Sequence, residues 1–159
     1  MQTNQDPALR ARALLDIDIQ ASARLVELLE AERLALQQRD IARLNETVER
    51  KLEWLRALEG CERQRQQLLR AAGSEDWPEL LGRLDPGGER RLLEDWGKLL
   101  GQLRDCRDLT EINDRIVRRS RRSLDHLLSL LRGQIDPVGV YDRSGKTQAY
   151  TDNRPITSA

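Results

Sequence analysis

Residues 89–132, ERRLLEDWGKLLGQLRDCRDLTEINDRIVRRSRRSLDHLLSLLR, carry the longest regular apolar pattern in the chain. Leu92, Trp96, Leu99, Leu103, Cys106, Thr110, Asn113, Val117, Ser120, Leu124, Leu127 and Leu131 alternate by four and three without a skip. That is a heptad seam, and a heptad seam calls for a helical partner along its length. Thr110, Asn113 and Ser120 interrupt it with polar side chains, while Leu109, Ile112 and Ile116 lie beside it. At about 1.5 Å per residue the segment predicts a rod on the order of 65 Å, longer than any other helix the sequence offers.

Working outward, Asp6-Pro7 suits an N-cap followed by a first helical residue, and Leu14, Ile17, Ala21, Leu25 and Leu28 recur every three or four positions, so a first helix is expected over about 8–38. Asp40 can cap a second, about 41–72, in which Ile41, Leu44, Val48, Leu52, Leu55 and Leu58 form the expected apolar stripe. A tight reversal at Arg39-Asp40 makes the two an antiparallel hairpin; a single rod running through Asp40 is the alternative. Gly73 ends the second helix. Residues 73–88 then form a connector holding a short amphipathic piece, Trp77 to Leu84, with Pro78 where a first turn tolerates it. The third long helix follows, about 89–132, and residues 133–159 lose all apolar periodicity. The expected fold is therefore a single all-α domain over 1–159: an elongated helical hairpin plus a long third helix, a three-helix, coiled-coil-like bundle with an irregular C-terminal tail.

Composition narrows the function. No Phe is present and aromatic residues are 3% of the chain, so the core must come from leucine at helical spacing. Basic and acidic residues balance at 27 each, which leaves no global field for nucleic acid or an anionic membrane. No run of about 18 apolar residues exists, and MQTNQDPALRARALL lacks the apolar core of a secretory signal, so a cytoplasmic protein without stable membrane insertion is expected. Cys61 and Cys106 are isolated and His126 is the one histidine, which gives no metal site and no disulfide framework; both thiols are expected to pack as small apolar groups.

RIVRRSRR, residues 115–122, invites a phosphate-binding reading. Arg115, Arg118, Arg119 and Arg122 instead follow i, i+3, i+4, i+7 spacing, opposite the Asn113, Val117, Ser120 and Leu124 stripe, so they read as the solvated face of an amphipathic helix. Glu111 and Asp114 stand four residues before Arg115 and Arg118, the favourable orientation for intrahelical pairs. No aromatic stacking residues or glycine-rich loop accompany the arginines, so no nucleic acid partner is expected. No Ser/His/Asp set, P-loop or HExxH occurs, and Asp125 and His126, being adjacent on a helix, point apart; no catalytic residue and no cofactor are expected.

The order and spacing of these segments resemble the FlgN-type flagellar export chaperones. The resemblance runs from about residue 9 to 147. It is carried by EAERLAL at 30–36, by Asp40, Leu44, Lys51, Leu55 and Leu58, by LLRAAG at 68–73, by the long third helix, and by VYDRSGKT at 140–147. Family members often place Gly directly after the tyrosine, whereas this chain has Asp142 and Arg143 before Ser144-Gly145. The resemblance implies a non-enzymatic cytoplasmic chaperone of flagellar type III export. Such a protein grips the C-terminal amphipathic helices of hook-associated junction proteins, prevents premature assembly and delivers them to the membrane export gate. An amphipathic helix laid into an apolar groove is a sound physical means of recognition. The expected client surface is Leu124, Leu127, Leu128 and Leu131, with Ile135 and Val138 at its edge. Tyr141 matches the tyrosine through which the family docks on the gate. On helical pattern alone the same leucines equally close the chain's own bundle or a homodimer seam, and the competing class is a structural coiled-coil adaptor with no secreted client.

Overall fold

The computed structural model describes residues 6–131. The expected tail, with Ile135, Val138 and Tyr141, lies outside them. Four helices make up the described chain: α1 (Pro7–Gln38), α2 (Ile41–Ala72), α3 (Trp77–Leu84) and α4 (Leu92–Leu131). Two compact units divide it, one up to Val117 and one from Arg118.

Side-chain chemistry sets the helix ends. The Asp6 carboxylate accepts from the Ala8 N–H, Asp40 from Arg43 and Asp76 from Glu79, each relieving an orphan donor of a first turn. The chain breaks between α1 and α2, so the rod through Asp40 is not formed. Arg39 adopts a left-handed φ of 57°, its N–H reaches Leu36 O and the Asp40 N–H reaches Ala35 O. Gly73 closes α2 with the same paired bonds, to Arg70 O and from Ser74 to Leu69 O. The last long helix begins at Leu92 rather than near Glu89. Residues 85–91 are consumed by successive turns, with Gly88 and Arg91 at positive φ, and the Asp85 carboxylate takes the Arg90 and Leu92 N–H groups at 3.0 and 3.3 Å.

Contacts between polar groups give the helix directions. Arg65 pairs with Asp18 and Lys51 with Glu32, two pairs symmetric about the Ile41–Ala42 bond, so α1 and α2 run antiparallel. Arg12 with Asp95, Ser22 with Gln102 and Leu29 with Asn113 keep a nearly constant offset, so α4 up to Asn113 runs parallel to α1. The core gathers where the start of α1, the end of α2, α3 and the start of α4 meet: Ala11, Leu14, Leu15, Cys61, Leu68, Leu69, Leu92 and Leu99, closed by Trp77, Leu80 and Leu81 of α3.

One expected face is corrected. Ile41, Val48, Leu52 and Leu55 belong to the expected apolar stripe of α2, yet they are 65, 40, 48 and 44% exposed. The face turned toward α1 carries buried Thr47 and Cys61 together with Lys51 and Arg65, the latter two held by Glu32 and Asp18. Lys51 and Arg65 occupy inward positions because each meets a carboxylate on α1, and the Thr47 hydroxyl donates to Leu44 O of its own helix. The leucine stripe is displaced to the flank.

Candidate functional site: the open leucine face of α4

The final turns of α4 place Leu124, Leu127, Leu128 and Leu131 at i, i+3, i+4 and i+7, so they share an arc of about 100° on the helix. Nothing among the described residues covers them: they are 60, 54, 47 and 84% exposed. Leu130, also half-exposed, widens the arc on one side. The sequence-derived face is thus assembled as far as Leu131.

On the opposite side stand Arg115, Arg118, Arg119 and Arg122. Arg115 pairs with Glu111 at 3.3 Å, as expected. Among the described residues the expected Asp114–Arg118 pair does not form, and the Arg118 carbonyl accepts from Arg122 Nε at 3.4 Å. Both side chains are solvated, where such a pair gains little against the entropy of holding it. Hydroxyls on this stretch turn back onto their own helix, Ser123 to Arg119 O and Ser129 to Asp125 O. The leucine arc is therefore flanked by groups that are either satisfied or hydrated, and what it offers a partner is apolar area.

Sequence reasoning had no account of the polar seam positions. Asn113 is buried, and its amide donates to Leu29 O at 3.0 Å and to Glu32 Oε2 at 2.8 Å, while Glu32 Oε1 receives Lys51 Nζ. One amide thus joins α4 to the α1–α2 ion pair. Thr110 donates to Cys106 O of its own helix. A second polar centre, Asp18–Arg65, lies deeper. Its guanidinium sits 5.6 Å from the Trp77 ring centroid and 5.5 Å from that of Trp96, a distance at which the ring quadrupole attracts the cation. Burial raises the Asp18 carboxyl above its ordinary range, opposed by the Arg65 charge. The signal for both centres was present as charged residues at seam spacing, legible only once the facing helix is known.

Among the described residues no group of His, Cys, Asp or Glu could hold a metal ion, and no helix is long and apolar enough to cross a membrane. These features define an all-α, coiled-coil-like bundle with uncovered apolar helix faces. A family model described as FlgN protein matches residues 10–149, most of the chain, and the chain belongs to the FlgN family, the flagellar export chaperones. Comparison with curated proteins and with solved structures gives no match.

Proposed function

We propose that this member of the family is a cytoplasmic chaperone that holds the C-terminal amphipathic helices of hook-associated junction proteins on the last turns of α4 and delivers them to the type III export gate. The observation that carries the reading is the uncovered leucine arc, Leu124, Leu127, Leu128 and Leu131. A helical client with its own apolar stripe buries that arc, gaining about 25 cal/mol for each Å² removed from water. The ordering of a flexible client segment offsets part of this gain, which keeps the complex releasable. Ile135 and Val138 extend the client face in this proposal, and Tyr141 is the docking residue for the gate, a role resting on the family resemblance alone.

The test mixes purified protein with synthetic C-terminal peptides of the junction proteins on a sizing column. A stable complex is expected with the native chain. Leu127→Asp with Leu131→Asp should abolish it while the helical circular dichroism and melting profile persist. Tyr141→Ala should retain the client and lose affinity for the gate component. Global unfolding of the double-aspartate variant would instead assign these leucines to structure and favour an adaptor without a client.

A further inference from the structure

The displaced stripe of α2 has a continuation. Leu58 of α2 and Trp96, Leu99 and Leu103 of α4 wall a cleft of about 310 Å³ whose lining also includes Asp18 of α1 and, on α2, Glu59 and Glu62. Glu62, Leu55, Val48 and Ile41 are separated by whole heptads, as are Glu59 and Leu52. A seven-residue step turns an α-helix by only about 20°, so all six share the face of α2 that opens into the cleft. On α4 the same step leads from Leu103 through Thr110 to Val117, which is 49% exposed. The two flanks bound an apolar strip that starts at the cleft and, on α2, runs on for about 30 Å from Glu62 to Ile41.

We propose that this strip is a second docking site, which receives an amphipathic helix of a partner protein as a fourth helix beside α2 and α4. The helix carries apolar residues at three- and four-residue spacing, and a Lys or Arg where it passes the cleft. Shape and apolar spacing specify the helix; charge specifies its end. Glu59 and Glu62 make the rim acidic, and Asp18, 1% exposed, also lines the cleft, with no hydrogen-bond partner for its Oδ1 among the described residues. Among the described residues Arg65 is the one cation lining the cleft; its two terminal nitrogens are held by Asp18 and Glu62, while its Nε has no partner, so the negative sign of the lining rests on Asp18, Glu59 and Glu62 outnumbering it. A buried carboxylate oxygen without a donor is unfavourable, and an incoming cationic or amide side chain with an apolar stem satisfies it. The strip is separate from the Leu124–Leu131 face and does not rest on the role proposed for it.

The experiment uses the full chain and two designed, tryptophan-free peptides of about 18 residues, five helical turns, with identical leucine heptads and either Lys or Glu at the flanking positions. Binding is read by anisotropy of the labelled peptide and by intrinsic fluorescence, since Trp96 lines the cleft. The Lys peptide should bind about tenfold or more tighter than the Glu peptide, and Leu52→Ser with Leu55→Ser should weaken it by a similar factor. Glu59→Lys, at an exposed position with no ion pair among the described residues, should narrow the preference at least severalfold and keeps the test independent of the leucine variant's stability. Because a leucine-heptad peptide also meets the open face of α4, the comparison is repeated with Leu127→Asp and Leu131→Asp in place, where the preference for the Lys peptide should persist. Equal binding of the two peptides, or loss of the Lys preference in the α4 variant, would overturn the proposal. So would a change of self-association by light scattering in the α2 variant, which would give the strip to a second copy of the chain.

Discussion

Asn113 illustrates how a single polar side chain fixes one helix against two others. Its amide nitrogen supplies both the Leu29 carbonyl and the Glu32 carboxylate, and the same carboxylate holds Lys51. Asn113→Ala removes a donor from a buried acceptor, so a loss of about 1–3 kcal/mol in urea unfolding is expected. Asn113→Asp should cost more and recover on acidification, because it sets a second carboxylate against Glu32. Cys61 gives a pH-dependent readout of the core. Burial, and then the Asp18 carboxylate, push its thiol from 9.0 up to about 11. A raised folded value means the unfolded chain ionises first, so this group's contribution to stability is complete below pH 9 and is lost as pH rises through 11. At pH 8 the native thiolate is about 100-fold scarcer than in the unfolded chain, and alkylation should slow by at least that factor relative to urea-unfolded protein. Cys106, half-buried, should label first. Similar native rates for the two thiols would contradict the packing.

At the scale of the element, the helices were legible wherever the chemistry of a boundary is local. Asp6-Pro7, Asp40, Asp76 with Pro78, and Gly73 each act within a few residues of themselves, and the helices start or stop there. The start of α4 was missed by three residues because its cap comes from Asp85, across a double-glycine turn, and no short window contains both ends of that bond. The facing of α2 was missed for a related reason. Apolar periodicity assumes that charge points outward, whereas Lys51 and Arg65 point inward toward carboxylates of α1 lying 19 and 47 residues away in sequence. The leucine arc at the end of α4 was legible as one face of a helix up to Leu131, since that needs nothing but its own helix. The Ile41–Leu55 strip, open for the opposite reason, could be found only after the inward face of α2 was known.

At the scale of the whole molecule, α4 changes character along its length. Leu92, Leu99 and Asn113 are buried, but from Arg118 to Leu131 no residue is, and nearly every side chain is exposed. An isolated helix of about 12–15 residues is marginal in water, because most helical stability in proteins comes from packing an amphipathic face. Local opening should therefore be far easier in the last turns than in the turns anchored to α1. Hydrogen exchange at neutral pH should show amides of residues 120–131 exchanging at least about 100-fold faster than those of residues 99–113 in the free protein. Adding a junction-protein peptide should slow the first group selectively, since a helix laid on Leu124, Leu127, Leu128 and Leu131 supplies the packing the segment lacks. Equal protection of both groups in the free protein would mean that those leucines are already covered in solution, and a concentration-dependent loss of that protection on dilution would identify the cover as a second copy of the chain.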